Sequence, residues 1–114
     1  MTHHDLDRTR RIVASDMSKE DAEPWFENWP RHSGPSFMDP ITHEGYKDVP
    51  VSYFLCEKDV CLNPDFQKKA IATIESASGN KVEVTTADVG HAPNVSRPQV
   101  LVDWIVGMAE KEAR

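Results

Sequence analysis

Hydrophobic and polar positions divide the chain near Tyr46–Pro50. Residues 1–48 are polar and proline-rich, and most of the aliphatic residues lie between Val49 and Met108. In the first part, Leu6–Val13 predicts a short helix. A second helix is predicted after Ser18, whose side chain can cap it while Glu20 and Asp21 favour its positive end. Pro24 falls inside that helix and should bend or shorten it. Trp25, Phe26 and Trp29 recur at helical spacing as a packing stripe. Pro30 to Pro40 holds three prolines and predicts a loop that needs another surface to lie on.

The second part carries stronger patterns. Val49–Cys56 is β-branched and aromatic, which predicts a strand buried on both faces, as in a parallel sheet. Asn63-Pro64-Asp65 opens a helix with an N-cap, a proline at the first helical position and an acid on the dipole. Phe66, Ala70, Ile71, Ile74 and Ala77 are expected to form its buried face, and Gly79 to stop it. Lys81–Thr86 alternates, which places Val82 and Val84 inward. Ser96 and Gln99 have capping-box spacing, with Pro98 tolerated in the first turn of a helix through Leu101, Trp104, Ile105 and Met108. Strand, helix, strand, helix is the βαβα pattern of an α/β fold with a parallel sheet. Chemistry in such sheets gathers at the carboxyl ends of the strands.

Composition narrows the function. The net charge is −6, from 19 acids against 13 bases. That balance argues against a nucleic-acid partner, and the short cluster Arg8-Thr9-Arg10-Arg11 reads as a solvated face beside Asp5 and Asp7. No apolar run is long enough for a membrane span, and no basic-then-apolar leader opens the sequence, so a cytoplasmic location is expected. Cys56 and Cys61 are separated by four residues, which fits neither a redox pair nor half a zinc site. They are expected to be two buried or half-buried thiols in a reducing cytosol. No cofactor and no metal is expected.

Two residues carry candidate chemistry. Asp59 lies just beyond the first strand and His91 just beyond the second. Parallel neighbours run about 4.8 Å apart, so side chains from adjacent strand-end loops can meet. An aspartate bonded to one imidazole nitrogen fixes the tautomer and supports the cation formed when the other nitrogen takes a proton. Gly90, directly before His91, permits a backbone arrangement that a Cβ would obstruct.

The segments YFLCEKDVCLNPDFQ and DVGHAPNVSRP resemble the last two core strands of α/β-hydrolases, in particular the esterase and methylesterase group that also contains plant hydroxynitrile lyases. The resemblance spans about residues 15–112. It implies that Asp59 is the acid and His91 the base of a catalytic triad. It also implies that residues 1–47 are the end of a cap segment, with the core resuming at residue 48. An ester-type small molecule would be the substrate of the full-length parent.

The departures from that pattern are specific. The family places its serine in a G-x-S-x-G elbow ahead of the acid and the histidine. The glycines here are Gly34, Gly45, Gly79, Gly90 and Gly107, no two of them four apart, and Ser36 has Gly34 on one side but Met38 on the other. The nucleophile is absent, as are the strands before it and the early loop of the oxyanion hole. The lyases carry lysine after the histidine; Ala92 stands there and disfavours cyanohydrin chemistry. Cys61 is a weak substitute nucleophile, because it lacks both elbow and oxyanion hole. His3 and His4 read as a terminus, and His32 and His43 as polar loop residues. Three expectations follow: a truncated serine hydrolase inactive by itself; a non-catalytic binding protein, self-associated as a homodimer or complementing an N-terminal partner; or a chain whose missing half is encoded ahead of Met1.

Overall fold

A computed structural model describes residues 6–113. Helices α1 (Leu6–Val13) and α2 (Lys19–Glu27) come first, followed by single 3-10 turns at Pro35–Met38 and Gly45–Lys47. Strand β1 (Ser52–Cys56), helix α3 (Pro64–Ser78), strand β2 (Glu83–Ala87), a one-turn helix α4 (Pro93–Ser96) and helix α5 (Pro98–Glu112) complete the order. The class is α/β, as the alternation predicts. β1 and β2 pair in parallel, with Ser52 opposite Glu83 and Cys56 opposite Ala87.

The local signals account for most boundaries. The Ser18 hydroxyl accepts the Asp21 amide at the start of α2, and Asn63 accepts the Phe66 amide at the start of α3. Pro64 occupies the first turn of α3, where its missing N–H leaves no bond unmade. Gly79 ends α3 at φ 73°, the left-handed conformation that a Cβ disfavours. Pro24 is accommodated inside α2, and the helix ends at Glu27.

The two strands present opposite faces to the two long helices. Leu55, Ile71 and Val82 form a core on one face, joined by Val51, Tyr53 and Ile74. On the other face the Trp104 ring packs 5.1 Å from Phe54, and its indole N–H donates to Thr85 at 3.0 Å. Lys111 ties the end of α5 to Glu83 at 2.6 Å. A separate cluster of Ala14, Ala22 and Phe26 joins α1 to α2, with Trp25 packed against it. Trp25, Phe26 and Trp29 form the expected stripe, their rings 4.8–5.3 Å apart.

Several expectations need correction. β1 is only half-buried over Ser52–Phe54, because a two-stranded sheet leaves one of its edges open. Val84 shares the face of Val82, where the expected alternation would bury it, yet is 42% exposed. The buried face of α3 runs through Gln67, Ile71 and Ile74, whereas Phe66, Ala70 and Ala77 lie outward. The capping box at the start of α5 does not form: the Ser96 hydroxyl donates to Asp16, and Gln99 donates to Asp103. Ile105 is likewise exposed, while Leu101, Trp104 and Met108 are half-buried.

Candidate active site

The ladder between β1 and β2 continues past the strands. Glu57 donates to the Ala87 carbonyl at 2.9 Å and Lys58 to the Val89 carbonyl at 3.0 Å. The loop carrying Asp59 and the loop carrying His91 are thus held side by side. A surface ion pair, Lys58–Asp88 at 3.0 Å, spans the same two loops.

Asp59 is 6% exposed, and both of its oxygens are occupied. Oδ1 accepts the backbone amides of Cys61 and Leu62, at 2.8 and 2.9 Å. Oδ2 lies 2.9 Å from Nδ1 of His91. Two fixed amides on one oxygen set the carboxylate's orientation before the imidazole arrives. A buried carboxylate aimed at Nδ1 requires that nitrogen to be the donor, so Nδ1 carries the proton. Nε2 is then the lone-pair nitrogen, and among the described residues no hydrogen bond occupies it. The His91 side chain is 29% exposed, so Nε2 belongs to a ring that a reacting group can reach. The geometry can hold an imidazole in one tautomer and stabilise its cation; among the described residues no group is hydrogen-bonded to Nε2 for it to deprotonate.

Two residues outside the expected pair build this arrangement. Gln67, 4% exposed, reaches from α3 to the end of β1. Its Oε1 accepts the Cys56 amide at 2.9 Å, and its Nε2 donates to the Cys56 carbonyl at 2.9 Å and the Leu62 carbonyl at 2.7 Å. The side-chain amide therefore acts as a short piece of neighbouring strand and closes the two ends of the Asp59 loop. Asp16, between α1 and α2, accepts the Gly90 amide at 2.8 Å and the Ser96 hydroxyl at 2.7 Å on Oδ2. A Cβ added at Gly90 would lie 2.6 Å from Asp16 Oδ1. Gly90 is needed for that approach rather than for a positive φ, which among the described residues only Gly79 adopts. The pattern offers a signal for Gln67, an inward position on an amphipathic helix; it offers none for Asp16, whose partners lie 74 and 80 residues away.

Among the described residues, the side chains of the remaining candidates make no hydrogen bond to the pair, although the backbone amide of Cys61 donates to Asp59. Burial, and secondarily the Asp59 charge, push the Cys61 thiol above its ordinary range, the wrong direction for a nucleophile. Both cysteines are free; Cys56 is buried as expected, whereas Cys61 lies at an exposed position, which corrects the expectation that both thiols are covered. His43 lies 2.7 Å from Asp48, and His32 sits against the Ser33 carbonyl; both pairings are exposed and neither includes Asp59 or His91. His3 and His4 lie outside the described residues. Among the described residues, no group of three or more metal-ligating side chains gathers, and no helix is long and apolar enough to cross a membrane.

This geometry can be set beside known proteins. A probable hydrolase R7 from Phoma sp. is 41% identical over 107 residues, which take in 94% of this chain and 44% of the relative. The chain thus spans less than half the length of the curated relative it matches. The model of the alpha/beta hydrolase family matches residues 2–104. With that match over nearly all of its length, the chain belongs to the α/β-hydrolase family.

Proposed function

We propose that this chain carries the acid–base half of an esterase-type serine hydrolase site. His91 is the proton shuttle, Asp59 is the anion that orients it, and polypeptide outside this sequence supplies the serine and the oxyanion hole. In the assembled site, Nε2 takes the serine proton as the oxygen attacks the acyl carbon. The resulting imidazolium, stabilised by Asp59, returns that proton to the leaving alcohol, and water then releases the acyl group by the same shuttle. The observation that carries this reading is the Nδ1–H to Oδ2 bond of 2.9 Å, which leaves Nε2 as the base. Fold membership alone would not assign the role.

The nitrogen-15 spectrum of the imidazoles tests it. At a pH where His91 is neutral, Nδ1 should be protonated and Nε2 bare, and Asp59→Asn should disturb that preference. An Nε2–H tautomer in the wild-type chain would sink the assignment. By itself the chain should hydrolyse p-nitrophenyl acetate no faster than its His91→Ala variant.

A non-catalytic reading rests on a different observation. Val102, Ile105 and Val106 of α5 are each about half exposed, at 48%, 52% and 49%. Such a surface supports covering by a second copy or by a complementing chain. Size-exclusion chromatography separates the cases: a concentration-dependent dimer favours self-association, and a monomer that binds the rest of a hydrolase core favours complementation. Two free thiols fit a reducing compartment, in keeping with a cytoplasmic location.

A further inference from the structure

The loop carrying His91 is held at both ends, and the two anchors differ in kind. At its β2 end the backbone ladder fixes Val89 through Lys58. On its far side, α4 begins directly after the histidine's neighbour Ala92, and Ser96 closes that one-turn helix. Asp16 connects these two places. Its Oδ2 takes the amide one residue before His91 and the hydroxyl five residues after it, so one carboxylate oxygen spans the imidazole-bearing segment.

Asp16 is a costly residue to place there. Its Oδ1 is buried and has no hydrogen-bond partner, an arrangement that native interiors rarely keep. Gly90 must also lack a side chain for the carboxylate to fit. Burial works to raise Asp16, but the hydrogen bonds from Ser96 and Gly90 outweigh it and keep the carboxyl below its ordinary range. A neutral side chain of similar size would close the gap without an orphaned oxygen. What the side chain does there is accept, on one oxygen, two donors from opposite ends of the histidine segment.

We propose that Asp16 is a positioning residue for His91: by bridging Gly90 N–H and Ser96 Oγ–H it sets the segment that points Nδ1 at Asp59, and so couples the α1–α2 segment to the acid–base pair. The inference rests on the reading of His91 as the base. It adds a dependence that the base itself does not need, because Asp16 touches neither the imidazole nor Asp59.

The test uses the nitrogen-15-labelled chain and the tautomer ratio of His91, with the amides of Phe54 and Thr85 reporting the sheet. In Asp16→Ala the Nδ1–H preference should fall by roughly tenfold or more, the value of one charge-assisted hydrogen bond, while the sheet amides hold their positions. Asp16→Asn keeps an acceptor oxygen and should retain the wild-type ratio. Ser96→Ala removes one of the two donors and should drift partway; it carries the test if Asp16→Ala does not fold. An unchanged ratio in Asp16→Ala, or in Ser96→Ala where that variant is the one that folds, overturns the inference, as does an Asp16→Asn that drifts as far as alanine. Failure of the base assignment would show instead in the wild-type spectrum, before any variant is compared.

Discussion

Replacing Gln67 with alanine tests how the site is held. The change removes three hydrogen bonds, to Cys56 N, Cys56 O and Leu62 O, all at 2.7–2.9 Å. Each is worth about 1 kcal/mol net, and an unsatisfied buried group costs about 1–3 kcal/mol. The Cys56 groups lie toward the open edge of the sheet, where water can replace some of the loss, so the expected destabilisation is about 2–4 kcal/mol. Urea denaturation of both chains measures it, with the slope of the transition held constant as the check on two-state behaviour. The isosteric Gln67→Glu separates hydrogen bonding from packing. A carboxylate can accept from Cys56 N–H but faces two carbonyl oxygens with nothing to donate. Its folded-state pKa should therefore lie above the unfolded value of about 4.3. Once protonated, the introduced carboxyl donates one bond, so the variant's deficit relative to wild type should be smallest below about pH 4 and widen as pH rises through the folded pKa. A loss under about 1 kcal/mol for alanine, or a glutamate deficit independent of pH, would refute the claim that this side chain substitutes for a strand.

Other outcomes follow from the same contacts. Gly90→Ala forces a Cβ to within 2.6 Å of Asp16 Oδ1, and thermal unfolding should show a loss of about 1–3 kcal/mol. Gly79→Ala, at φ 73°, should cost about 1 kcal/mol by the same assay without altering the His91 spectrum. Asp16 has a folded pKa below its unfolded value. The stability it contributes is complete above that unfolded value and is lost as pH falls through the folded one. The difference between wild type and Asp16→Asn should therefore shrink below about pH 4. Cys61, whose thiol burial and the Asp59 charge push up, should alkylate slowly at neutral pH, and Cys61→Ser should leave the His91 tautomer ratio unchanged.

The sequence shows its local rules clearly and its long-range ones hardly at all. Ser18, Asn63, Pro64 and Gly79 act over three or four residues, and each sits where its chemistry predicts. Asp59 and His91 can be paired in advance because strand ends in a parallel sheet have a known spacing. The errors arise where tertiary contacts override a local pattern. Ser96 has the spacing of a capping box, but a buried carboxylate from the α1–α2 turn offers its hydroxyl a stronger acceptor. Phe66 and Ile105 belong to apolar faces wider than the surface this chain covers. Asp16 is invisible for a simpler reason: nothing near it in sequence needs it.

The central claim is that a complete acid–base pair here awaits a serine from elsewhere. The most direct measurement restores the part of the Phoma hydrolase that this chain does not match, fuses it to the chain, and follows p-nitrophenyl ester hydrolysis. Turnover should fall roughly a thousandfold or more in both His91→Ala and Asp59→Asn, the scale expected when a triad member is lost. Turnover that survives either substitution would contradict it.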